Sequence, residues 1–90
     1  MYRDDPLDDE MELRELIGDE AGDRIPTGEP MDCALDVLRI LQGWVSDDEA
    51  AAWFLTPQRR LDDRTPVDAL EDEDLDEVLG AAQRWAAARG

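Results

Sequence analysis

Residues 29–45, EPMDCALDVLRILQGWV, constrain the fold more than any other stretch. Ala34, Val37, Leu38, Leu41, Trp44 and Val45 recur at i, i+3, i+4, i+7, i+10 and i+11. A helix turns once in about 3.6 residues, so this spacing makes one continuous apolar stripe that other elements must cover. Pro30 suits the first helical position, where its missing N–H would have no partner anyway. Gly43 weakens the last turn.

The punctuation that follows predicts short helices. Ser46-Asp47-Asp48-Glu49 has the form of a capping box, with Ser46 as the cap and Glu49 able to reach back. The next helix, DDEAAAWFL, stops before Thr56-Pro57, because a residue preceding proline avoids helical angles. PQRRLDDRTP, residues 57–66, is a loop with one apolar anchor, Leu61. Thr65 then caps a second short helix, with Pro66 at its first position, Asp68 three residues past the cap, and Val67 and Leu70 facing inward. A last helix is expected over residues 72–88, with Leu75, Val78, Leu79, Ala82, Trp85 and Ala86 on its apolar face. Its acids come early (Asp72, Glu73, Asp74, Asp76, Glu77) and Arg84 and Arg89 late, the order that complements a helix dipole.

No run shows the period-two alternation of a strand. The expected fold is all-α: two longer helices bracing two short ones, with residues 31–90 as the helical domain. Residues 1–30 read as an acidic N-terminal extension. Within it, Met11, Leu13, Leu16 and Ile17 share a short helical stripe that Gly18 ends. Residues 22–30, GDRIPTGEP, read as a loop and residues 1–8 as poorly ordered.

Charge narrows the function. The chain of 90 residues carries 25 acidic and nine basic residues, a net charge of −16, and every basic residue is arginine. Such a surface repels nucleic acid and anionic membranes, and neither is expected as a partner. The acidity fits a solvated surface, docking to a basic partner, or mimicry of DNA. No apolar run approaches the ~20 residues of a membrane helix. MYRDDPLDDE is acidic where a signal peptide would be basic and then apolar, so a cytoplasmic location is expected.

Catalytic signatures are missing. Cys33 is the only cysteine and there is no histidine, which leaves a zinc site without its usual ligands and a thiol nucleophile without its usual base. Cys33 reads as a small buried residue on a helix. The acidic runs DDEA and EDEDLDE lack the spaced ligands and central glycine of a calcium loop and read as helix N-terminal charge. There is no Gly-rich phosphate loop and no G-x-S-x-G elbow. Neither an enzyme nor a cofactor is expected.

The stretch AAAWFLTPQRRLDDRTPVDAL, residues 50–70, stands apart by gathering aromatics and cations. Trp53 and Phe54 are adjacent on a helix and cannot share a face. One is expected in the core, and the other over the loop or against a partner. Arg59, Arg60 and Arg64 sit on the loop. They either pair locally with Asp62, Asp63 and the acidic helix starts, or form a recognition surface. Arginine and aromatics are the types that concentrate interface energy.

Residues 34–86 resemble the Xre/MbcA/ParS-type antitoxin toxin-binding domain. The resemblance rests on an Ala-rich turn into Trp53 and Phe54, then Pro57, Leu61, Arg64, Pro66 and Leu70, and an amphipathic last helix with Val78 and Leu79. It implies an all-α module that binds and neutralises a RES-domain toxin, an enzyme that consumes NAD or uses it for ADP-ribosylation. It also implies that the C-terminal part blocks the NAD pocket. Here that element would be residues 84–90, with Trp85 and Arg89 as contacts. The partner-binding residues it suggests are Arg59, Arg60, Arg64, Arg84, Trp85 and Arg89. Trp53, Phe54, Pro57, Leu61, Pro66 and Leu70 form the structural motif. Full-length members carry an N-terminal helix-turn-helix; residues 1–30 are too short and acidic for one, and the tail AAQRWAAARG is Ala-rich where a Gly is expected. Two further readings stand beside this one: a non-catalytic adaptor or homo-oligomeric assembly module, and an acidic DNA mimic.

Overall fold

A computed structural model describes residues 6–89. It holds six helices: α1 (Pro6–Ile17), α2 (Asp19–Arg24), α3 (Glu29–Gln42), α4 (Asp47–Leu55), α5 (Pro66–Glu71) and α6 (Leu75–Arg89). A 3₁₀ turn, Arg59–Leu61, lies between α4 and α5. Among the described residues there is no strand, only an isolated bridge between Gln58 and Arg64. The fold is all-α, as the periodicity predicts.

α3 and α6 make the most extensive helix pair. The stripe on α3 is buried as expected: Ala34, Val37, Leu38 and Leu41 are all inside. Its extension to Trp44 is corrected. α3 ends at Gln42; the Gly43 N–H donates to the Ile40 carbonyl at 3.2 Å, and the Trp44 and Val45 N–H groups donate to the Leu41 carbonyl. The chain then leaves the helical path, and Trp44 is 57% exposed. α6 buries Val78, Ala81, Ala82 and Ala86, small residues that let the two helices approach closely.

α6 begins three residues later than expected. Glu73 takes a left-handed φ of 61°, which breaks the helical path between α5 and α6. Asp72 caps the end of α5, and the Asp74 carbonyl accepts from the Val78 N–H at 3.1 Å in the first turn of α6.

The first thirty residues hold more structure than the composition suggests. Residues 22–24, expected in a loop, complete α2. Gly22 is the reason: a Cβ there would lie 2.8 Å from Cγ of Arg14, so glycine marks a close approach of α2 to α1, not a break. Gly18 does end α1, with a φ of 94°. Leu13, Ile17, Ala21 and Ile25 join the same buried cluster as α3 to α6. Each large apolar side chain so buried contributes about 1.5–3 kcal/mol. Met11, expected on the α1 stripe, is exposed. Of residues 1–8, the first five lie outside the described residues, and residues 6–8 open α1.

Arginines tie these first helices down from outside. Arg24 at the end of α2 pairs with Asp68 and Glu71 on α5, its Nε donating to Glu71 at 3.0 Å. Arg39 on α3 pairs with Asp9 on α1, and Arg14 with Asp23.

Both caps on the short helices form. The Ser46 hydroxyl accepts from the Glu49 N–H at 3.3 Å, and Thr65 accepts from the Asp68 N–H at 3.1 Å. Thr56 is extended, as a residue before proline should be. The expected division of labour between Trp53 and Phe54 is corrected, since both are core residues at 2% and 0% exposure. α4 contacts α1, α3 and α5, so more than one of its faces is covered. The Trp53 ring meets Phe54 edge-on at 5.5 Å and Trp85 of α6 at 6.3 Å.

Candidate functional site

The loop after α4 is a compact platform. Leu61 plugs it into the core at 1% exposure. The Gln58 N–H donates to the Arg64 carbonyl at 3.0 Å, closing the loop at its neck. Asp62 and Asp63 adopt left-handed φ values of 58° and 65°, which aspartate tolerates better than most residues. This geometry turns the loop back on itself and leaves Arg59 and Arg60 exposed on it.

Arg64 is engaged within the fold. Its Nε donates to the Leu61 carbonyl at 2.9 Å, and its Nη1 to Asp72 at 2.9 Å and Asp74 at 2.8 Å. Its carboxylate partners, Asp74 first and then Asp72, hold the guanidinium pKa above its ordinary value. The local pairing weighed for the loop arginines therefore occurs here, but with the α5–α6 turn instead of Asp62 or Asp63. Arg64 sets the shape of the platform.

At the end of α6, Trp85 and Arg89 form a second cluster. The Arg89 guanidinium sits over the Trp85 ring, 4.7 Å from its centroid, and pairs with Glu49 at the start of α4. Glu49 thus spends its carboxylate on α6, and only the serine half of the capping box is made. Trp85 is half-buried, and Ala86 beside it is fully inside. Gly90 lies outside the described residues.

Between the platform and α6 lies a cleft of about 410 Å³. Arg59, Arg60 and Arg84 line it, with Pro57, Ala81 and Trp85 among its less polar walls. A second hollow of about 290 Å³ shares Arg60, Ala81 and Arg84 and is bordered by Asp76 and Glu77. Among the described residues, Arg59, Arg60 and Arg84 make no ion pair, whereas Arg14, Arg24, Arg39, Arg64 and Arg89 all do. The structure therefore brings together Arg59, Arg60, Arg84 and Trp85 of the expected contacts. It places Arg64 and Arg89 in internal pairs. Ala81 was missed as part of this surface; its small side chain gives it no signal apart from the helix face it lies on.

Cys33 is half-buried on α3, and its thiol donates to the Leu75 carbonyl at 3.5 Å. Burial first, and then Asp36 and Asp76, push its pKa up, which keeps the weakly nucleophilic thiol form. Among the described residues no group of three or more acids or cysteines is arranged to hold a metal ion, and no helix is long and apolar enough to cross a membrane.

Residues 40–81 match the family model of the antitoxin Xre/MbcA/ParS C-terminal toxin-binding domain. The resemblance to that family holds over this segment. The match runs from the last turn of α3 through α4, the loop platform and α5 to the middle of α6. It is narrower at both ends than the 34–86 span read from the motifs. Trp53, Phe54, Pro57, Leu61, Arg64, Pro66 and Leu70 fall inside it; Arg84, Trp85 and Arg89 fall just beyond. A toxin-binding domain implies a protein partner and points to an antitoxin role. Comparison with curated proteins and with solved structures gives no match.

Proposed function

We propose that this protein binds and neutralises a RES-type toxin, one that consumes NAD or uses it for ADP-ribosylation, by occluding the toxin's active site. The observation that carries this reading is the toxin-binding match over residues 40–81. It covers the loop platform and, of the arginine cleft, Pro57, Gln58, Arg59, Arg60 and Ala81. Inhibition by occlusion requires complementary surface and no catalytic group, and the exposed arginines with Trp85 offer such a surface. Arg59, Arg60 and Arg84 contact the toxin directly. Arg64 acts by shaping the platform. The end of α6, with Trp85 and Arg89, is the element nearest the toxin's NAD pocket, and Arg89 exchanges Glu49 for a toxin group on binding. The net charge of −16 steers the chain toward a basic toxin face and raises the association rate.

The test is direct. A RES-domain toxin is mixed with increasing amounts of the chain, and NAD consumption is followed. Loss of consumption at a fixed stoichiometry supports the reading. Full consumption at saturating chain rejects it and moves the function to an adaptor or assembly module.

A further inference from the structure

The larger cleft runs against the character of the whole molecule. With 25 acidic residues in the chain, a carboxylate is the expected neighbour of any arginine. Five of the described arginines have one. Yet no acid lines the 410 Å³ cleft, where Arg59, Arg60 and Arg84 meet from the loop and α6; Asp76 and Glu77 border the adjoining hollow that shares Arg60 and Arg84, and among the described residues they form no ion pair with either. Free guanidinium groups are planar forks that fit carboxylate or phosphate oxygens in pairs. The cleft is thus built to take a negative group from outside.

We propose that this cleft receives an acidic, carboxylate-bearing segment of the partner protein, gripped by Arg59, Arg60 and Arg84. The proposal deepens the antitoxin reading and rests on it for the partner's identity. A peptide carboxylate is favoured over a nucleotide on two grounds. The Trp85 ring carries the Arg89 guanidinium 4.7 Å from its centroid and leans on Trp53 at 6.3 Å, which leaves a base little open ring face on which to stack. The surrounding charge of −16 also repels a free polyanion, whereas one carboxylate on a basic protein is carried in by its neighbours. The far field therefore attracts a basic surface, and the cleft selects the place on that surface where the sign reverses. Such a reversal fixes orientation, because any other docking sets like charge against like.

Two measurements test this. In the first, Nε–Hε signals of the arginines are followed by NMR while the full chain is titrated with the capped basic pentapeptide Lys-Leu-Glu-Leu-Lys, its glutamine counterpart, or ATP. Shifts of Arg59, Arg60 and Arg84 with the glutamate peptide alone support the proposal. No shift, an equal response to the glutamine peptide, or a stronger response to ATP overturns it. In the second, the affinity of a RES-domain toxin is compared for the wild type and for Arg60→Gln/Arg84→Gln. The expected loss is about tenfold or more, partly restored by Arg60→Lys/Arg84→Lys. Unchanged affinity of the glutamine variant sinks the cleft assignment and leaves the antitoxin reading standing. A toxin that ignores even the wild type sinks the antitoxin reading, and the peptide titration then decides the cleft by itself.

Discussion

Nη1 of Arg64 stands 2.8 Å from the Asp74 carboxylate, and this contact ties the loop after α4 to the turn before α6. A second bond from the same nitrogen, to Asp72 at 2.9 Å, anchors it to the end of α5 as well. Arg64→Ala is expected to leave the protein folded, with a small drop in Tm, because the pair is solvent-facing and such pairs contribute little. The loop should loosen more than the core does. Hydrogen exchange that speeds up at residues 58–64 while α3 stays protected is the expected pattern; global unfolding would contradict it.

Trp53 behaves differently. It is 2% exposed and touches both Phe54 and Trp85. Truncating a buried Trp to Ala typically costs about 3–5 kcal/mol. A domain of this size has a total stability on the order of 5 kcal/mol, so Trp53→Ala should unfold it. A wild-type thermal melt by circular dichroism would remove Trp53 from the core.

Gly22→Ala offers a sharper contrast. Alanine is the better helix former by about 1 kcal/mol, and on an open helix the change would stabilise. Here the added Cβ would lie 2.8 Å from Cγ of Arg14, so the Arg14 side chain must turn aside, at the expense of its pair with Asp23, or the two helices must part. A net destabilisation is expected, since overpacking costs about 1–3 kcal/mol. A raised Tm would show that the helices have room to spare.

The Arg24 clamp should be visible in acid. The Arg24 guanidinium, followed by the Thr65 cap, holds the Asp68 carboxyl below its ordinary pKa. A depressed carboxyl adds stability above its unfolded pKa and loses it as pH falls through the folded one. The Tm gap between wild type and Arg24→Gln should therefore be full at neutral pH and shrink as pH drops into and below the ordinary carboxylate range. A gap that stays constant across that window would mean that Asp68 contributes nothing through Arg24.

Truncation after Ala86 tests whether the end of α6 is the occluding element proposed above, and it leaves the buried residues in place. Ala86 is buried, whereas Ala87, Ala88 and Arg89 are exposed. The shortened chain should still fold and still bind a RES-domain toxin, but inhibit it less. Equal loss of binding and inhibition would argue against occlusion by the helix end.

Elements with strong periodicity or a cap were legible from residues alone. The α3 stripe, the Ser46 and Thr65 caps, the Pro57 stop and the Leu61 anchor each follow from a local rule. The failures have local causes too. Trp44 kept the helical period, but its helix had already ended. Gly22 looked like a break because sequence cannot distinguish a glycine that loosens the chain from one that lets two helices touch. The acids at 72–74 fitted a helix start, whereas Glu73 breaks the helical path and Asp72 and Asp74 serve Arg64. At the candidate site, the gathering of arginines was readable. Which of them would be free was not, since that depends on acids 8 to 40 residues away.

Leu13 and Ile17 of α1 lie in one buried cluster with Val78 and Ala86 of α6. The family match takes in Val78 but stops short of Leu13 and Ile17 on one side and of Ala86 on the other. A peptide cut to residues 40–81 would keep every motif that identifies it and lose the Ala34, Val37 and Leu38 wall against which α6 rests. Such a fragment should be sticky and poorly packed, binding indiscriminately through surface that the intact chain conceals. The smallest piece that is recognisable is here smaller than the smallest piece that can stand up in water.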